Sequence, residues 1–137
     1  MLFRSIDGIA GMLGERTLNI SKLAFGSQRT YPIASRCAVF AQTDVRPLIN
    51  AGARKADIAQ SALDAVARRT LGGLACGRPI TGKVVFLGGP FEHIPALVMT
   101  FRKKLGLGRE DGIKPPDAHL FAAMGAALSL EIGRAHV

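Results

Sequence analysis

Apolar and polar positions along this chain alternate with two periods. Ile6, Ile9 and Leu13 recur at helical spacing before Gly14, and Leu18 to Phe25 reads as a second short helix closed by Gly26. Ala38 to Ala41 is a short continuous apolar run that predicts a strand. Thr43 or Asp44 then caps a helix through Asn50, with Pro47 tolerated in its first turn and Gly52 as the stop. The longest periodic segment runs from Ala56 to Leu74. Ile58, Ala62, Val66 and Thr70 recur every four residues, and Ala59, Leu63, Ala67 and Leu71 form a second stripe beside them. Two adjacent apolar stripes predict a helix buried on a broad face. Gly72 and Gly73 cost about 1 kcal/mol each relative to alanine, which predicts fraying before Cys76-Gly77-Arg78-Pro79.

The period then changes. Lys83-Val84-Val85-Phe86-Leu87 is a continuous β-branched and aromatic run ended by Gly88-Gly89-Pro90, which predicts a strand buried on both faces and therefore parallel. A helix from about Pro95 to Leu105 follows, then a short extended Ile113-Lys114 before Pro115-Pro116, and a final small-residue helix from His119 to Leu130. Helices alternating with apolar strands give the class α/β.

Both ends read differently from the interior. Glu131 to Val137 translate a common short-read sequencing adapter, and Met1 to Ser5 fit its reverse complement. Residues 1–5 and 131–137 are therefore expected to be adapter-derived and are set aside, which leaves residues 6–130 as one domain or a piece of one. The formal charge of +8, from 18 basic and 10 acidic residues, becomes +7 once Arg4, Arg134 and Glu131 are set aside. A basic balance favours anionic partners. The charges are scattered as Arg54-Lys55, Arg68-Arg69 and Arg102-Lys103-Lys104, however, with one tyrosine and no tryptophan. A basic face interleaved with stacking aromatics is missing, so no nucleic-acid partner is expected. No run of apolar residues is long enough to span a bilayer and the N-terminus carries no signal peptide, so no membrane association and a cytoplasmic location are expected.

Candidate chemistry is sparse. Cys37 stands at the mouth of an apolar segment, where a lone cysteine reads as core packing or as a metal ligand. Cys76 lies 39 positions on, without a Cys-x-x-Cys or zinc-type spacing, and His93 and His119 are far apart in sequence. After a parallel strand, Gly88-Gly89 would let backbone approach a ligand, and a following helix start would offer N–H groups to an anion. It is neither a Walker A loop nor a Gly-x-Gly-x-x-Gly fingerprint, and a tight strand-to-helix turn explains it as well.

Four segments, in order, carry a resemblance. They are Tyr31-Pro-Ile-Ala-Ser-Arg-Cys37-Ala-Val-Phe-Ala-Gln-Thr-Asp44, Leu74-Ala-Cys76-Gly-Arg-Pro-Ile80, Lys83-Val-Val-Phe-Leu-Gly-Gly-Pro90 and Phe121-Ala-Ala-Met-Gly-Ala-Ala-Leu128. Together they resemble the activator ATPases of 2-hydroxyacyl-CoA dehydratases and benzoyl-CoA reductases, the BadF/BadG/BcrA/BcrD-type ATPase family, and in particular its large CoA-substrate-specific activase branch. The resemblance implies the second half of a ribonuclease H-like domain, the fold of actin, sugar kinases and heat-shock chaperones.

It also implies that Cys37 is the second of two cysteines with which each subunit holds a 4Fe-4S cluster shared across a homodimer or a paired activase domain. Gly88 and Gly89 match the glycine pair near the adenosine of ATP or ADP, and Gly125 matches a glycine of the last helix that packs beneath it. Pro90 departs from the aliphatic residue of the shorter activators, and Cys76 matches no ligand and reads as core or turn packing. The family's first cluster cysteine, in a Cys-x-x-Gly-Thr-Gly segment, and its phosphate- and magnesium-gripping loops have no counterpart here. The intact protein is then expected to use ATP to deliver one low-potential electron to an acyl-CoA dehydratase or reductase, and this piece to be inactive alone. Alternatives are a non-redox, kinase-like nucleotide-binding domain or an interaction domain of the same fold, neither of which would use Cys37 as a ligand.

Overall fold

A computed structural model describes the backbone of residues 2–34, 38–108 and 110–134, and the side chains of residues 4–34, 42–108 and 110–130. Among the described residues, seven α-helices and two short strands follow in order: α1 (Leu2–Met12), a single 3-10 turn (Thr17–Asn19), α2 (Ile20–Phe25), α3 (Ala38–Asn50), α4 (Lys55–Ala75), β1 (Val84–Val85), α5 (Gly89–His93), α6 (Pro95–Leu105), β2 (Gly112–Ile113) and α7 (Phe121–Arg134). The described chain is thus mostly helical, with few strands.

The core forms where the two stripes of α4 meet α2 on one side and α6 on the other, while α1 packs across α3 and α4. Ile58, Ala59, Ala62 and Leu63 are fully buried there against Ile6, Ile9, Ile20, Ile94 and Leu97. Each such aliphatic side chain contributes roughly 1.5–3 kcal/mol of burial free energy. Two buried hydroxyls tie the layers. Ser21 of α2 accepts the Ala96 N–H at 2.9 Å, capping α6 from another helix. Thr100 of α6 donates to the Ala96 carbonyl and accepts from the Gln60 amide of α4.

The strands pair in parallel, Val84 opposite Gly112 and Val85 opposite Ile113. Beneath them Phe86, Phe91 and Phe101 form a ring cluster with centroids 5.1–6.2 Å apart. Gly112 fits closely at this register: a Cβ there would stand 2.9 Å from the Arg102 Nε and 3.2 Å from the Phe86 ring, so both side chains would have to shift.

Several expectations change. Ala38 to Ala41 is helical, not a strand, and forms the first turn of α3. A four-residue apolar run carries no period of its own, and the inward Val45, Leu48 and Ile49 that follow set a helical one. Pro47 consequently lies inside α3, not in its first turn. Asp44 does not start that helix either; its carboxylate accepts the Ala34 N–H at 2.7 Å.

Helix α4 runs on through Gly72 and Gly73 without fraying. Cys76 takes a left-handed conformation, φ 46°, where its N–H reaches the Gly72 carbonyl and its thiol the Gly73 carbonyl. Strand β1 is parallel as expected but is not buried on both faces. Phe86 is inside, whereas Val85 and Leu87 are 50% and 42% exposed, since among the described residues only β2 pairs with it. Residues 2–5 continue α1 and residues 131–134 continue α7. No described helix is long and apolar enough to cross a membrane.

Candidate functional site

The Gly88-Gly89 turn joins β1 to α5. Gly88 adopts φ 102°, ψ 161°, a combination essentially reserved for glycine. Its N–H donates to the Ala118 carbonyl at 2.8 Å, fastening the turn to the segment that leads into α7. A Cβ at Gly88 would meet only the Pro90 Cδ, at 3.8 Å, so the backbone angle and not crowding selects glycine. Helix α5 is only five residues long and opens with Pro90 in its first turn, which removes one N–H from its start.

Charged groups gather beside this turn. The Glu92 carboxylate accepts from Lys114 Nζ at 3.1 Å and from the Ala118 N–H at 3.2 Å. The Lys114 hydrogen bond is the main reason its carboxyl is held below the usual glutamate range, against some opposing burial. His93 and His119, distant in sequence, bring their rings to 5.8 Å between centroids, tilted by 41°. Neither contact was visible in the sequence, because both depend on β2 placing Lys114 and His119 alongside α5.

A second polar arrangement, also missed, lies on α4. Asp57, 3% exposed, accepts the N–H of Gln28 at 2.8 Å and of Arg29 at 3.3 Å. The Gln28 bond in particular lowers its pKa, outweighing the cost of burial. Ser61, one turn on, donates to the Asp57 carbonyl and accepts the Tyr31 N–H at 2.7 Å. Arg68 Nη2 donates to the Ile33 carbonyl at 3.2 Å. Side chains of one helix face thus clamp residues 28–33, the irregular segment that leads toward Cys37. The signal was in the sequence, since Asp57, Ser61 and Arg68 interrupt the apolar pattern at helical spacing, but their irregular partner was not. A groove of about 770 Å³ opens beside this clamp, lined by residues including Arg29, Gln60, Met99 and Lys103; the glycines of the β1–α5 turn do not line it.

The four sequence candidates are therefore not gathered into one described site. Gly88 and Gly89 share the turn. Gly125 lies in α7, where a Cβ would meet nothing within 4 Å. Cys37 lies outside the described residues. Cys76 is exposed at the end of α4. Among the described residues no group of three His, Cys, Asp or Glu is placed to hold a metal ion. The chain has two cysteines, short of the four thiolates of a 4Fe-4S cluster, so one copy does not fit that group by itself.

No protein-family model and no curated protein matches the chain. Solved structures do. Component A of the (R)-2-hydroxyglutaryl-CoA dehydratase of Acidaminococcus fermentans is similar over 92% of this chain and 47% of its own, with a TM-score of 0.81 and 29% identity. The activator of the 2-hydroxyisocaproyl-CoA dehydratase from Clostridium difficile, solved with bound ADPNP, is similar over 98% of this chain and 50% of its own, with a TM-score of 0.80 and 24% identity. The chain spans about half the length of these proteins. Over nearly all of its own length, then, it is built like the activators of 2-hydroxyacyl-CoA dehydratases, the group its motifs resemble.

Proposed function

We propose that this chain is one half of an ATP-dependent activator that passes a low-potential electron to an acyl-CoA dehydratase or reductase in the cytoplasm. The observation that carries this reading is the 29% identity and TM-score of 0.81 to a dehydratase component over 92% of the chain. In the intact protein, Gly88 and Gly89 line the adenosine side of an ATP or ADP site, with Gly125 behind it. Magnesium and the phosphates are gripped by residues outside this sequence. Cys37 supplies one thiolate of a 4Fe-4S cluster, whose remaining ligands come from outside this chain, in a homodimer or a paired activase domain. The glycine-only angle at Gly88 supports the nucleotide assignment, since a turn free of side chains lets a ligand approach the backbone. Such a cluster would supply one-electron chemistry, and nucleotide-dependent differences in binding energy would bias the two halves between arrangements.

The test replaces the matching half of the Acidaminococcus activator with residues 6–130 of this chain. The expected chimera hydrolyses ATP, carries iron when purified anaerobically and activates the dehydratase. Cys37→Ser is expected to lose the iron and the activation together. A folded chimera that hydrolyses ATP yet holds no iron and activates no dehydratase would overturn the activator reading in favour of a kinase-like domain.

A further inference from the structure

The groove of about 770 Å³ beside the clamp runs between residues 24–30 and α6, over one face of α4. The buried residues of its lining, Ala24, Ala96 and Thr100, are small, which gives it depth. The Thr100 hydroxyl is already satisfied by the Ala96 carbonyl and the Gln60 amide, so this floor suits an apolar group. Phe25, at the end of α2, and Met99 of α6 also line the groove, and each is 58% exposed. Large apolar side chains that share one concavity in water mark a contact surface. The charges around them are mostly positive. Arg29, Lys103 and Lys104 line the groove together with Asp64, whose carboxylate is taken by Lys104 at 2.7 Å and by Arg68 at 3.6 Å. Arg29 turns its guanidinium onto Tyr31, and Lys103 makes no ion pair among the described residues, so two cations are left without an acid. Thr30, exposed on the groove wall, makes no hydrogen bond among the described residues, which leaves its backbone N–H and carbonyl to a bound chain.

We propose that this groove binds an acidic, extended segment of another protein, which seats one apolar side chain against Phe25 and Met99 and sets its carboxylates on Arg29 and Lys103. The unpaired cations select the sign of the partner, the small-residue floor its apolar anchor, and the open backbone of Thr30 a peptide. A second copy of this chain is a poor occupant, because each copy carries a formal charge of +8. Gly88, Gly89 and Gly125 do not line the groove, so this site is separate from the nucleotide assignment.

Fluorescence anisotropy with the full-length chain tests it. The probes are short labelled peptides of glutamate and glycine, each with a single central phenylalanine, leucine or methionine. At least one is expected to bind saturably, and more weakly as salt is raised. Lys103→Glu and Met99→Ser, both at exposed positions, are each expected to weaken binding about tenfold or more while the far-ultraviolet dichroism stays unchanged. Lys83→Glu makes the same charge change at an exposed position outside the groove and is expected to leave the affinity as it was. No saturable binding by any of the peptides would overturn the proposal, and so would an equal loss in all three variants. Affinity that survives replacement of the central apolar residue by glycine would reduce the contact to charge attraction and overturn the anchor. A mixed-sequence single-stranded oligonucleotide that displaces the probe at a lower concentration than unlabelled peptide would overturn the peptide in favour of a nucleic acid.

Discussion

Asp57 concentrates more of the molecule's polar accounting than any residue the sequence singled out. Its carboxylate takes two backbone N–H groups that no sheet or helix satisfies, which is why it is tolerated almost fully buried. Holding its pKa below the ordinary 3.8 makes the ionised form a stabilising one. That contribution is fully present above the unfolded-state value and is lost as the pH falls through the lower folded-state value. Glu15, drawn down mainly by its hydrogen bond with Lys55, and Glu92, drawn down mainly by Lys114, lose theirs over a similar acid range. The urea midpoint is expected to be flat near neutrality and to fall once the pH drops below about 4. Asp57→Asn is expected to lower the midpoint at pH 7 and to flatten the acid slope. An unchanged slope in the variant would place the acid sensitivity elsewhere.

At the scale of elements, α6 shows how one helix end depends on another helix. Ile94 at its start makes no side-chain cap, and the cap comes instead from Ser21, which accepts the N–H of Ala96 from 75 positions earlier in the chain. Removing a cap of this kind costs about 1 kcal/mol, so Ser21→Ala is expected to lower stability by that amount in urea titration, with α6 amides exchanging faster than those of α4. Long helices were legible: α4 begins and ends within a residue or two of its two-striped pattern, and α6 spans the expected Pro95 to Leu105. Short apolar runs were not. Ala38 to Ala41 and Lys83 to Leu87 are both short apolar runs, and what separates them lies outside each run, since one is continued along the chain by the helical period of Val45, Leu48 and Ile49 and the other pairs in space along one edge. Helix α5 was invisible because five residues opened by Gly-Pro carry turn chemistry and no apolar period.

For the whole molecule, the resemblance read from four segments and the fold shared with two dehydratase activators agree, although no family model captures the chain. The candidate site was legible only as separate motifs. Gly88-Gly89 could be placed on a strand-to-helix turn, while the meeting of Glu92, Lys114, His93 and His119 depends on a parallel pairing across 28 residues that no local pattern encodes. The clamp on residues 28–33 has one further consequence, for how this protein can be watched. Tyr31 is the chain's sole tyrosine and there is no tryptophan. Its hydroxyl accepts from Arg29 Nε, the guanidinium lies 4.9 Å from its ring centroid, and its N–H is held by Ser61. Intrinsic emission therefore reports the release of this clamp from α4, while the melting of α7 passes unseen in fluorescence and shows only in circular dichroism. A fluorescence transition that moves in Ser61→Ala apart from the dichroism transition is the expected signature, and the two signals would then time separate parts of one chain.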